Sequence, residues 1–139
     1  MALKSAFWAV VLFLGGYLIA TIVGFATYFV SEILMWISMF TAMPIVFSLL
    51  AYAYLLKSRC APSEARGQMT RLILFWIALS FGLDAMTYIG ITPILSGGHA
   101  NWHFFIDQSP WIWLAYIALA ASGAVAWFVF SRRRGSPTL

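Results

Sequence analysis

The stretch LILFWIALSFGLDAMTYIGITPIL, residues 72–95, decides the fold. It carries a single formal charge, Asp84. As an α-helix it would rise about 36 Å, more than the ~30 Å hydrocarbon core of a bilayer. The apolar–polar alternation of a membrane barrel strand is absent. Three similar runs accompany it: AFWAVVLFLGGYLIATIVGFATYFV at 6–30, ILMWISMFTAMPIVFSLLAYAYLL at 33–56 and PWIWLAYIALAASGAVAWFVF at 110–130. Each is long enough to span. The first exceeds the roughly 7–15 apolar residues of a signal-peptide core and lacks a small-x-small cleavage site, so a retained helix is expected.

The composition requires the same solvent. Of 139 residues, 63% are hydrophobic and 9% charged, against roughly a quarter charged in an ordinary soluble domain. Lipid is therefore the expected surroundings. The net charge of +4 does not indicate a nucleic-acid partner, because the basic residues sit at the ends of apolar runs. Lys4 precedes the first run, Lys57, Arg59, Arg66 and Arg71 lie between the second and third, and Arg132, Arg133 and Arg134 follow the fourth. In a four-span arrangement all eight fall on one side, while Glu32, His99, His103 and Asp107 fall on the other. The positive-inside rule then places both termini in the cytoplasm. The expected architecture is all-α: an integral membrane four-helix bundle with antiparallel up-down topology, in the bacterial cytoplasmic (inner) membrane. One domain covers 1–139, with helices over about 6–30, 33–56, 71–95 and 109–131, a cytoplasmic loop 57–70 and an outer interfacial loop 96–108.

Asp84 is the chemical question. A charge at the centre of a spanning helix costs roughly 3 kcal/mol on insertion scales. Residues three and four apart share a helix face, so Ser80, Asp84, Thr87 and Tyr88 form one polar stripe. That stripe is expected to face the bundle interior. The carboxyl would serve as a proton or ligand site, or as hydrogen-bonding glue between helices.

The outer loop offers a second constellation. His99, His103 and Asp107 are spaced four apart and, on a helix, would form one face able to ligate a divalent ion. The alternative is a pair of interfacial histidines, with Asp107 or Ser109 capping a helix that begins at Pro110. Glu32, preceded by Ser31, similarly marks the start of the second helix. Small residues recur at four-residue spacing: Gly16, Ala20 and Gly24 in the first run, and Ala118, Ser122 and Ala126 in the fourth. Such stripes let helices approach closely, within one bundle or in a homo-oligomer. Pro44 and Pro93 predict a kink in the second helix and a bent or broken outer end of the third. Trp8, Trp36, Trp102, Trp111, Trp113 and Trp127 fit an interfacial aromatic belt, with Trp76 near the cytoplasmic boundary.

No motif indicates a cofactor. There is no phosphate loop, CxxC, nucleophile elbow or HExxH. The single Cys60 permits no intrachain disulfide. Three functional classes fit. The first is a non-enzymatic accessory or oligomeric bundle protein with a buried polar site at Asp84, acting within a larger membrane complex. The second is a proton-coupled transporter or channel for a small solute. The third is a membrane-embedded enzyme using Asp84 and Tyr88 on a lipophilic substrate.

Overall fold

A computed structural model describes residues 3–135, with the side chains of 4–134. The described residues are helical apart from short connections. The long helices are α1 (Leu3–Tyr28), α2 (Glu32–Lys57), α3 (Ala65–Asp84) and α6 (Trp111–Gly135). The third continues through a π-helical segment, Ala85–Ile91, into the single turn α4 (Thr92–Leu95), and another single turn, α5 (Phe104–Asp107), lies in the following connection. Four helical spans, the third running unbroken over Ala65–Leu95, are long and apolar enough to cross a membrane.

Cross-helix contacts fix the chain directions. Gly16 lies against Phe47 and Leu50, and Gly24 lies nearest Met39, so α1 and α2 run oppositely. Trp76 bonds Ala9 and Asp84 bonds Tyr17, so α1 and α3 run together. Ile73 meets Gly123 and Asp84 meets Tyr116, so α6 runs against α3. The bundle is thus up-down. Side by side the order is α1, α2, α6, α3, and the seam between α3 and α1 is sparsely packed. All eight Lys and Arg residues gather at one end, here called the basic end.

The interior is small. Phe13, Phe47 and Trp76 pack as one aromatic layer, and the Trp76 indole N–H donates to the Ala9 carbonyl at 2.9 Å. Trp76 is 0% exposed, a core residue rather than part of an interfacial belt. Outward-facing positions are equally apolar, with Leu14, Leu18, Ile22, Ile45, Leu49, Leu74, Ile117 and Val125 exposed. A helix apolar all round suits lipid on one side and protein on the other. Helix association in that setting rests on close packing. A methyl group added at Gly16 would approach Leu50 Cδ1 to 2.7 Å, and one added at Gly123 would strike the Ile73 side chain.

Several boundaries differ from the sequence expectation. The third helix begins at Ala65 rather than 71, shrinking the loop expected over 57–70 to 58–64. Its first turns are amphipathic: Ala65 and Met69 are buried while Arg66 and Thr70 are exposed. These polar residues continue a helix instead of forming a loop. The last helix runs on through Arg132–Arg134, whose charges favour a helix C-terminus and lie over the Phe128, Tyr52 and Phe130 rings respectively. The second helix passes unbroken through Pro44. Ser31 caps it, with Oγ accepting from the Leu34 N–H at 3.5 Å.

Pro93 has the larger consequence. A proline cannot donate to the carbonyl four residues earlier, and its ring crowds that group. Here the turns before it widen, and the Thr92 N–H reaches back to the Thr87 carbonyl. The Ile89 carbonyl, freed by Pro93, accepts the N–H of Asn101 at 2.9 Å. The connection after α4 is therefore tied to the helix that the proline disturbs. Gly97 (φ +78°) ends α4 in a left-handed conformation natural to glycine.

Candidate functional site

Asp84 ends the regular part of α3, where the helix begins to widen. Its carboxyl faces the bundle interior and is held by two tyrosines. The Tyr17 hydroxyl of α1 donates to Oδ1 at 2.8 Å. The Tyr116 hydroxyl of α6 donates to Oδ2 at 2.8 Å. Three helices thus meet at one carboxyl, and each oxygen has a donor.

This clamp separates two cavities. The larger, about 350 Å³, extends away from the basic end along the α1 face of Tyr17, Ala20, Thr21, Gly24 and Tyr28. The 11 helical steps from Tyr17 to Tyr28 give it a length of roughly 16 Å at 1.5 Å per residue. Its other walls include Trp36 and Met39 of α2, Tyr88 of the π segment, Phe104 of α5 and Gln108. Phe25 and Tyr28, more than half exposed, flank its mouth. The smaller cavity, about 120 Å³, lies toward the basic end and is walled by Ser80, Ser122, Met43 and Phe47. Asp84, Tyr17 and Tyr116 border both. Beyond the smaller cavity, the Phe13–Phe47–Trp76 layer fills the bundle.

The polar stripe expected on α3 is divided by the change of helix type. Ser80 is buried, one α-turn from Asp84, and faces the smaller cavity. Tyr88 faces the larger one, its ring stacked on Phe104 at 4.9 Å. Thr87 is half-buried, borders neither cavity, and contributes its backbone carbonyl to the wide turn. Glu32 is exposed in the first turn of α2, outside both cavity walls.

The small-residue stripes divide too. Gly16 makes a close helix contact, whereas Ala20 and Gly24 give their missing volume to the large cavity. Ala118 and Ser122 border the small one, with Ser122 Oγ donating to the Ala118 carbonyl at 2.8 Å, and Ala126 is buried.

His99, His103 and Asp107 do not share a helix face. The chain leaves helical geometry after Leu95, and only Phe104–Asp107 regains a turn. Among the described residues, no group of three His, Cys, Asp or Glu side chains is placed to hold a metal ion. Asp107 ends α5 rather than capping α6. The first turns of α6 donate instead to backbone carbonyls, Ile112 N–H to Gln108 and Leu114 N–H to Pro110. The loop aromatics fasten the end of the bundle: Phe105 stacks on Phe81 at 4.7 Å and lies beside Trp113.

Tyr17 and Tyr116 were not among the expected site residues. Each is a hydroxyl-bearing residue within a largely apolar run. That signal points to them once an unpaired acid is known in another span. No family model, curated protein or solved structure matches the chain.

Proposed function

We propose that the chain is a non-enzymatic, multi-pass membrane protein that binds a small molecule in its large cavity, with Asp84 as the polar anchor. It would work as an accessory or oligomeric bundle protein in a bacterial cytoplasmic membrane. The observation that carries this reading is a carboxyl at the floor of a ligand-sized, largely apolar cavity. Small-molecule sites typically enclose about 300–1,000 Å³ and combine apolar walls with a few convergent polar groups. Glue alone would need the hydrogen bonds but not the space. Eight basic residues at one end support cytoplasmic termini, which makes the cavity face the opposite side.

Proton-coupled transport is the second reading, favoured by the position of Asp84 in the walls of both cavities. A carboxyl between two compartments is suited to exchanging a proton for a solute. The enzyme reading has less support, since the hydroxyls bonded to the carboxyl are those of Tyr17 and Tyr116, and Tyr88 is engaged with Phe104.

Cysteine accessibility tests the reading. In a Cys60→Ser background, Thr21→Cys and Gln108→Cys are expected to react in intact cells with a charged, membrane-impermeant methanethiosulfonate. Phe13→Cys, beyond the clamp, is expected to stay unmodified. Arg71→Cys should react only after permeabilisation. Thr21→Cys as inert as Phe13→Cys would overturn the open cavity. Labelling of Arg71→Cys from outside would reverse the orientation.

A further inference from the structure

We infer that the ligand of the large cavity is a small organic cation with an apolar body, such as a lipophilic amine or onium ion, paired with the Asp84 carboxylate. The inference rests on the binding reading above and names its ligand class. The two tyrosine hydroxyl protons are already committed to Asp84. A carboxylate offers about four acceptor positions, and the tyrosines fill two. What remains on the carboxylate and on the two phenol oxygens bonded to it is lone pairs. The floor therefore suits a guest that donates hydrogen bonds or carries positive charge, and repels an anion.

Among the described residues, none supplies a counter-charge there. No Lys, Arg or His lines either cavity, and all eight Lys and Arg residues belong to the basic end. The titratable neighbours of Asp84 are Tyr17 on α1, Tyr116 on α6 and Tyr88 on its own chain segment, while the α2 wall of Met35, Trp36 and Met39 has none. The walls add a second attraction. Phe25, Tyr28, Trp36, Tyr88 and Phe104 supply aromatic surface, and ring faces attract cations, more strongly where water is excluded. An apolar cation satisfies the carboxylate and the rings together. A proton competes for the same carboxylate, so one cation entering a protonated site releases one proton.

The test uses a pair of ions that differ almost only in charge. Tetraphenylphosphonium and tetraphenylborate are presented to the full chain in nanodiscs by equilibrium dialysis, with empty nanodiscs subtracted. The cation is expected to bind once per chain, at least tenfold tighter than the anion. Its affinity should fall on acidification. It should drop at least tenfold in Asp84→Asn, which keeps the side chain's shape but loses its charge, and in Gly24→Phe, which fills the cavity from α1. Equal binding of the two ions, or an unchanged cation affinity in Asp84→Asn, would overturn the cation assignment. If Gly24→Phe still removed that charge-independent binding, the binding cavity itself would stand. Binding of neither ion, with no effect of Gly24→Phe, would overturn both.

Discussion

Replacing the whole polar centre by apolar side chains should leave the bundle nearly as stable as before, although replacing Asp84 alone should not. Asp84→Leu removes the acceptor of two hydroxyls that meet it at 2.8 Å. A buried donor left unmade costs about 1–3 kcal/mol. Both phenols border cavities and regain some hydration, so the single change is expected to cost about 2–4 kcal/mol in all. Adding Tyr17→Phe and Tyr116→Phe removes the stranded donors. Interhelical hydrogen bonds in a bilayer average only about 0.6 kcal/mol, and exchanging a buried charged cluster for apolar groups is often neutral or stabilising. The triple variant is therefore expected within about 1 kcal/mol of the parent. Cys60, the single cysteine and 2% exposed, provides the assay. Its reaction with a thiol-specific fluorophore along an SDS titration in mixed micelles reports unfolding. A triple variant that remains about 3 kcal/mol or more below the parent, near the insertion cost of a central charge, would refute the reasoning. The carboxyl would then be a fastening, and the case for a binding site would lose its main support.

Other perturbations address other links. Gly123→Ala drives a methyl group into Ile73 and is expected to cost about 1–3 kcal/mol, the usual range for overpacking; adding Ile73→Val should recover part of it in the same SDS titration. Burial pushes the Cys60 thiol up, with Glu64 adding to the shift. The unfolded chain then gives up this proton first, so the stability the thiol contributes is complete below about pH 8.5 and is lost as pH rises through the higher folded value. Cys60→Ala should flatten that alkaline decline, measured by intrinsic tryptophan fluorescence during thermal melts at pH 7 to 10. Pro93→Ala restores an N–H able to reclaim the Ile89 carbonyl from Asn101. Hydrogen exchange should then quicken at the Asn101 amide while residue 93 gains a protected one, and unchanged protection at Asn101 would contradict the tie.

What the sequence could reveal followed from how local each signal is. Spanning helices are written in contiguous apolar runs, and basic clusters mark one end, so both were legible. Residues 65–70 are polar, and polarity alone does not separate a loop from a helix end. A polar helix end has the same composition as a loop, and the burial of Ala65 and Met69 distinguishes it. The stripe Ser80–Asp84–Thr87–Tyr88 assumed one constant helical period, which the widening at Ala85–Ile91 breaks. Pro93 predicts a disturbance, but the Asn101 bond that uses the freed carbonyl lies in a loop without periodicity. The clamp was least visible. Tyr17 and Asp84 are 67 residues apart, and Tyr116 and Asp84 are 32 apart. Nothing in the spacing along one helix identifies partners on two others.

The sparse seam between α1 and α3 gives the bundle the form of a necklace with a clasp. Three contacts, α1 to α2, α2 to α6 and α6 to α3, are broad. The fourth is closed by two hydrogen bonds, Trp76 to Ala9 and Tyr17 to Asp84. They are eight residues apart on α3, roughly 12 Å. The first is sealed in the aromatic layer and can act as a pivot. The second belongs to the site itself. A guest that drew Asp84 away from Tyr17 would loosen the ring at that half. On the binding reading proposed above, no chain of intermediaries would be needed to carry news of binding to the helices, because the carboxyl that meets Tyr17 across the seam would also hold the guest.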